Sequence, residues 1–332
     1  MLSLILKDKK CGKPLKGVIM KVASFFAGVG GIELGFKQAG FNTIWANEID
    51  VNASVTYKAN FRNVLIIDDI KNIEPKQIPD FDILLAGFPC QSFSLAGYRK
   101  GFEDERGNLF FEIIRIIKKK KPSIVFLENV KNLVGHDRGN TFRVILEALK
   151  INGYVIKSKV LNACEYGNIP QNRERIYIVA FLDKKKSMRF DFPEPIMLSK
   201  KLSDLIDFDE KKDSKFYYTD KNCSFYDRLY DEINKIDTIY QWRRQYVREN
   251  KSNLCPTLTA NMGTGGHNVP IIYTKHGIRK LTPRECFNIQ GFDKDFIIPE
   301  CLSNTSLYKQ AGNSVTVTVI KSIADRIAEA IS

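Results

Sequence analysis

The chain has 332 residues, 44% of them hydrophobic and 27% charged. That balance excludes global disorder, and the length suits two domains or one large α/β domain carrying an insertion. Lys plus Arg number 51 against 38 Asp plus Glu, a formal net charge of +13; such an excess favours a polyanionic partner, nucleic acid or an anionic membrane surface, and says nothing about the fold.

Residues 1–19 read as an N-terminal extension. The apolar stretch from Leu2 to Leu6 is followed by Lys7, Lys9 and Lys10 without a small-residue cleavage site, which argues against a signal peptide, and no apolar run approaches the roughly 20 residues of a membrane span. A short strand-like run at 21–26 ends in glycines, and a helical spacing at 31–39 stops at Gly40. Strand 41–46, helix 51–60, and strands 64–67 and 82–86 follow. Residues 109–120 read as a helix whose lysines before Pro122 suit a helix C-terminus, and 124–127 as a buried strand. Helix 138–150 ends before Asn152-Gly153, and strands 154–161 and 176–181 complete the series. Such alternation predicts a mostly parallel sheet with helices on both faces and ligands at the carboxyl ends of its strands. The pattern then breaks: Lys184, Lys185 and Lys186 form a charged interruption, 191–195 is proline-rich, and 196–278 is polar and turn-rich without a sustained period. Helical spacing returns at 282–290 and 315–331. The expected organisation is a catalytic and cofactor-binding domain over 20–183, a smaller domain over 184–278, and a segment 279–332 that returns to the first. Seven scattered cysteines without a Cys-x-x-Cys pair, and only His136, His267 and His276 beside them, argue against structural zinc or a disulfide framework and for a reducing cytoplasm.

Four strand ends carry chemistry. In Phe26-Ala27-Gly28-Val29-Gly30-Gly31 the glycines let backbone approach a ligand closely. A dinucleotide fingerprint needs glycine at 33, where Glu33 stands and would repel a pyrophosphate. The loop suits a cofactor without phosphates, such as S-adenosylmethionine, with Glu48 available to its ribose hydroxyls and Asp69 to the adenine amino group; taken alone it is equally well a tight turn. Cys90, in Gly87-Phe88-Pro89-Cys90-Gln91-Ser92, is placed either for nucleophilic attack or as an inert buried thiol. Glu128, in Glu128-Asn129-Val130, is a carboxyl that desolvation can keep protonated as an acid, or a simple ion-pair partner. Gln171-Asn172-Arg173-Glu174-Arg175 leads into a strand and by itself reads as a charged turn.

Taken in order, these motifs resemble the DNA cytosine-5 methyltransferases over about residues 20–330. The series is Phe-x-Gly-x-Gly at 26–30, Asn47-Glu48, Asp69-Ile70, Gly-Phe-Pro-Cys-Gln at 87–91, Gly-Phe-Glu-Asp at 101–104 with Arg106-Gly107, and Glu-Asn-Val at 128–130. Gln-x-Arg-x-Arg at 171–175, Arg-Glu-Cys at 284–286, Gln-Gly-Phe at 290–292 and Gly312-Asn313-Ser314-Val315 close it.

The resemblance implies an S-adenosylmethionine-dependent methyltransferase: a Rossmann-like α/β fold with a mixed sheet and helices on both faces, plus a small irregular target-recognition domain, with double-stranded DNA in the cleft. It implies Cys90 as the nucleophile for cytosine C6, Glu128 at N3 and the exocyclic amine, Arg175 at O2, and Arg173 supporting the same edge. The implied cofactor contacts are Phe26, Gly28, Gly30, Glu48, Ile49, Asp69, Ile70, Asn313 and Ser314. Two positions depart from the family pattern: Ser24 stands where many members carry Asp, and Ile49 where a larger aromatic is frequent. A stacked cytosine is out of reach, so the base is expected to flip, with residues 91–106 resembling the mobile catalytic loop and Gln91, Ser92, Arg99, Lys100 and Arg106 expected on the DNA. Arg243, Arg244 and Gln245 have side chains suited to base edges, and Thr257, Gly265 and Gly266 resemble recognition-domain positions; Trp242 is equally well core. Neutralising Lys100 or Arg106 is expected to weaken binding to every sequence, and changing Arg243 or Arg244 to alter the site. The implied activity is that of a DNA (cytosine-5-)-methyltransferase, monomeric, cytoplasmic, without metal or membrane, protecting DNA from a partner restriction endonuclease. A tRNA-methylating relative would be expected to carry a Cys-Phe-Thr signature near the recognition region, whereas the nearest string here is Cys286-Phe287-Asn288 inside the Arg-Glu-Cys motif; a non-catalytic paralogue would be expected to have lost Cys90 or Glu128.

Overall fold

A computed structural model describes residues 20–89, 109–264 and 268–332. The extension 1–19, the segment 90–108 and residues 265–267 lie outside the described residues, and with them Cys90, Gln91, Ser92, Arg99, Lys100, Arg106, Gly265 and Gly266.

Strands β1 (Lys21–Phe25), β2 (Asn42–Glu48), β3 (Val64–Ile67), β4 (Ile83–Gly87), β5 (Ile124–Val130), β6 (Val155–Asn162) and β8 (Glu174–Phe181), with the two-residue β7 (Gln171–Asn172) set apart, build the main layer. Seven join in the order β3-β2-β1-β4-β5-β8-β6. The pairs from β3 across to β5 are parallel, while β8 runs antiparallel to both its neighbours, so the sheet is mixed as the resemblance implies. Helices close both faces because each presents an apolar stripe at helical spacing. Phe110, Ile113 and Ile117 of Leu109–Lys120 pack with Ile145 and Leu149 of Asn140–Ile151. On the opposite face, Ile32 and Phe36 of Gly31–Gln38 pack with Ile320, Ile323 and Ile327 of the C-terminal helix Val317–Ile331. The order in which strands are added reverses at β1, with β2 and β3 on one side and β4 and β5 on the other, and a crevice at such a switch point is where open α/β sheets bind ligands.

Several expectations need correction. The segment after 196 is not irregular: β9 (Tyr240–Arg243), β10 (Tyr246–Glu249), β12 (Ile271–Thr274) and β13 (Gly277–Lys280) form an antiparallel sheet in the order β10-β9-β12-β13. Strands of four residues are too short to register a period of two. The remaining short strand, β11 (Cys255–Pro256), pairs with β7. The lysines at 184–186 do not interrupt structure; they open the helix Lys184–Arg189, capped by the Asp183 carboxylate. The helix expected from 138 begins at Asn140, because Asp137 and Arg138 have φ of 49° and 52°, which no right-handed helix accommodates. Glu128 lies inside β5 rather than after it. Helix Asn304–Asn313 has no sequence counterpart: it is polar, capped by Ser303, and buries only one side.

Candidate active site

A cavity of about 540 Å³ opens at the carboxyl ends of β1, β2, β4 and β5. One end is built by the turn after β1. There Phe26 and Gly28 both have positive φ, 56° and 58°, and the Ala27 N–H donates to the Asn47 carbonyl. The Glu48 carboxylate accepts from the N–H groups of Gly28 (2.7 Å), Ile49 (2.9 Å) and Asp50 (2.7 Å). Three donors fix its orientation and leave about one of its four acceptor positions for a ligand. Asn47 donates to the carbonyls of Ile66 and Asp68, which places Asp68, Asp69 and Ile70 along the same wall. Ile49 also faces the cavity with 59% of its surface exposed.

Gly30 and Gly31 differ in role. A Cβ on Gly30 would lie 2.1 Å from the Phe61 ring, and Gly30 is not part of the cavity wall; its φ of 91° serves the turn into the helix. A Cβ on Gly31 would lie 2.7 Å from Ser314 Oγ, so this glycine lets the C-terminal segment close over the loop. That segment supplies Lys309, Gln310, Asn313 and Ser314 to the cavity. It is held by an Asp50–Lys309 ion pair at 2.8 Å and a buried hydrogen bond from the Thr56 hydroxyl to Gln310. Among the described residues the buried Ser314 hydroxyl has no hydrogen-bond partner, and such a group is one that a ligand can satisfy.

The other end carries Glu128, Arg175 and Arg173. Glu128 pairs in register with Gly87 on β4 and Tyr177 on β8. Arg175 Nε sits 3.3 Å from Glu128 Oε1. Burial pushes the Glu128 carboxyl above its ordinary range, and the Arg175 and Arg173 charges pull it partly back. Gly87, Phe88 and Pro89, the residues leading to Cys90, line the same cavity. They are anchored by Asn129, whose buried side chain donates to the Phe88 carbonyl at 2.8 Å.

Arg173 is occupied elsewhere. Its guanidinium donates to the carbonyls of Leu258 (2.7 Å), Gly312 (3.3 Å) and Ser314, joining the seven-stranded sheet to the segment after β11 and to the C-terminal segment. Burial lowers it to about 9, so this network sits where one buried cation is held by three carbonyls. Gln171 adds a second junction, donating to the Ile289 carbonyl and accepting from the Leu258 N–H. Thr257 donates its hydroxyl to the Asn172 carbonyl at 2.7 Å, beside the β7–β11 pair and away from the β9–β10 hairpin that carries Arg243, Arg244 and Gln245. Trp242 stacks on Phe225 within the smaller domain's core. Sequence reading did not single out Asn47, Asn129, Gln171 or Lys309, although the first three stand inside motifs it quoted; the available signal was a polar residue within a run that otherwise reads as buried.

Among known proteins, the profile of the C-5 cytosine-specific DNA methylases matches residues 20–329. The chain is 65% identical to the type II methyltransferase M.Bsp6I of Bacillus sp. strain RFL6 over 311 residues, covering 93% of this chain and 98% of that one. It is 39% identical to the type II methyltransferase M.DsaV of Dactylococcopsis salina, covering 93% and 86%. Among solved structures, that of a Spodoptera frugiperda DNMT2 variant superposes with a TM-score of 0.71 at 21% identity, over 93% of this chain and 99% of the other, a likeness of fold.

Proposed function

The chain belongs to the C-5 cytosine-specific DNA methylase family and is a DNA cytosine-5 methyltransferase, and from that premise we propose that it methylates one cytosine within a short double-stranded sequence, using S-adenosylmethionine, as the cytoplasmic protective methylase of a restriction–modification system. The observation that carries the reading is the Glu128–Arg175 pair at 3.3 Å, on a wall of the cavity that also holds Gly87, Phe88 and Pro89, the residues that run directly into Cys90.

The target base leaves the helix stack because neither a thiolate nor a cofactor reaches it there. Cytosine C6 is a poor electrophile, so the Cys90 sulfur forms its bond to C6 as N3 gains a proton. Glu128 is the donor: burial favours its protonated form, and the guanidinium of Arg175 beside it steadies both the carboxylate left behind and the cytosine O2. Addition moves electron density onto C5. When bound, S-adenosylmethionine supplies the methyl group on a positively charged sulfur, the electrophile that C5 requires. The C5 proton then passes to a base, for which water suffices. The C5–C6 double bond re-forms as the bond from C6 to sulfur breaks, Cys90 leaves as thiolate, and the N3 proton returns to Glu128. Splitting one hard substitution into addition and elimination is the gain of covalent catalysis.

The residues present fit this cofactor. Glu48 retains an acceptor position for ribose hydroxyls, Asp69 stands farther along the wall, and the partnerless Ser314 hydroxyl waits at the other side. The division into 20–183, 184–278 and 279–332 is part of the proposal, supported by the return of residues 309–315 to the cavity. Duplex DNA carrying 5-fluorocytosine at the target tests the mechanism, because elimination needs a removable C5 proton. The protein is expected to form a stable covalent complex with it and Cys90→Ser is not; normal adduct formation by Cys90→Ser would refute the assignment.

A further inference from the structure

We propose that the β9–β10 hairpin is a preformed two-stranded ribbon that enters the DNA major groove tip first, with Arg244 discriminating a guanine and Arg228 holding the tip in position. The proposal rests on the DNA-methylating function above and specifies how that function selects its site.

The hairpin has two unlike faces. Residues alternate across a strand, and the register pairs Arg243 with Tyr246, Trp242 with Val247, and Gln241 with Arg248. Trp242 and Tyr240 point inward: Trp242 stacks on Phe225 with ring centroids 4.2 Å apart and planes 7° from parallel, and Tyr240 is 1% exposed. The outward face therefore consists of Gln241, Arg243, Tyr246 and Arg248. It contains no aliphatic residue and no carboxylate, since Glu249 lies on the other face, ion-paired to Lys235 at 2.9 Å. A ribbon of this width suits the major groove, about 12 Å across, where arginine contacts guanine O6 and N7 bidentately and glutamine contacts adenine.

The tip is where sequence and backbone disagree. Only Arg244 and Gln245 connect the strands. The Gln245 N–H donates to the Arg243 carbonyl at 2.6 Å, closing a three-residue turn centred on Arg244, whose φ is 60°. Turns of this kind with positive φ are rare and strained, and glycine or asparagine is the residue that hairpin backbones favour there. Arg244 is exposed, and among the described residues no hydrogen bond or ion pair engages its guanidinium to offset the strain. Local conflict of this kind concentrates at functional sites.

The strained tip is also braced. Arg228, on the helix Tyr226–Glu232, donates to the Gln245 carbonyl. One turn later on the same helix, Glu232 accepts from the Val247 N–H at 3.2 Å. With the Trp242–Phe225 stack, these ties hold the hairpin before any DNA arrives, so the ordering cost falls on folding and not on binding.

Bisulfite sequencing of DNA treated with the purified full-length protein first defines the site. The ratio of kcat/KM on that site to kcat/KM on duplexes with one base pair changed is then measured for the protein and its variants, alongside Tm. Arg244→Gly is expected to raise Tm by relieving the turn and to lower discrimination at one G·C pair on the order of tenfold or more, through a lower kcat/KM on the defined site. Arg228→Ala is expected to lower the same ratio, and Arg228→Lys to restore part of it. Undiminished discrimination by Arg244→Gly, or a Tm below that of the unaltered protein, would overturn the proposal. Absence of methylation of any duplex by the unaltered protein would instead overturn the function on which it rests.

Discussion

Replacing Glu33 by glutamine should make the protein's stability less sensitive to pH. Glu33 occupies the first turn of the helix Gly31–Gln38, is 0% exposed, and among the described residues has no hydrogen-bond partner of normal geometry at either oxygen. Burial raises its carboxyl from 4.5 to about 7; the nearby Ser24 hydroxyl and a backbone N–H offset this only partly, and the Glu48 charge adds to it. The folded chain therefore holds this proton more tightly than the unfolded chain does. Below about pH 4.5 both states are protonated and the group costs nothing. From pH 4.5 to about 7 the unfolded chain has released the proton and the folded chain has not, so stability falls as pH rises, and above 7 the full penalty is present. The shift of 7 − 4.5 = 2.5 units, at about 1.36 kcal/mol each, amounts to about 3 kcal/mol. Urea denaturation of both proteins at intervals from pH 4.5 to 8.5 measures the effect. The stability of Glu33→Gln relative to the unaltered protein should improve by about 3 kcal/mol across that range. Parallel curves for the two proteins would refute the reasoning. An aspartate in place of Ser24 would set a second buried carboxylate beside Glu33, and like charges that close disfavour each other strongly.

Two further changes probe the framework around the site. Asn129→Ala removes the donor that anchors the Phe88 carbonyl; kcat should fall on the order of 100-fold through misplacement of the segment leading to Cys90, with the Kd for S-adenosylmethionine unchanged by calorimetry, and an unaltered kcat would deny Asn129 this positioning role. Arg279, fully buried, holds Glu285 through two hydrogen bonds of 2.7 and 2.8 Å; Arg279→Met strands that carboxylate and should destabilise by about 3–5 kcal/mol, whereas adding Glu285→Met should recover much of the loss. Thermal melts of the three proteins decide it, and equal losses in single and double variants would show that the ion pair is not the cause.

Strand–helix alternation through residue 181 was legible because each element records its burial within a few residues: Ile113 and Ile117 mark a helix face without knowledge of what covers it. Chemistry at strand ends was legible for a similar reason. Glu48, Asp69, Glu128, Arg175 and Ser314 are polar groups in short motifs, and the fold gathers all of them around one cavity. What the local pattern did not record was the partner of each group. Arg173 reads as a neighbour of Arg175 in a charged turn, yet its guanidinium holds carbonyls 85 and 141 residues away. The four-residue strands of the small sheet and the polar helix Asn304–Asn313 likewise carry too little periodicity to declare themselves, and owe their form to what they pack against. Composition and local spacing thus determined the secondary structure of the larger domain, the +13 charge and the chemical inventory. Tertiary packing alone decided which buried donors meet which acceptors, because a hydrogen bond between distant segments is specified by the geometry of the assembled layers and by the cost of leaving either group unpaired.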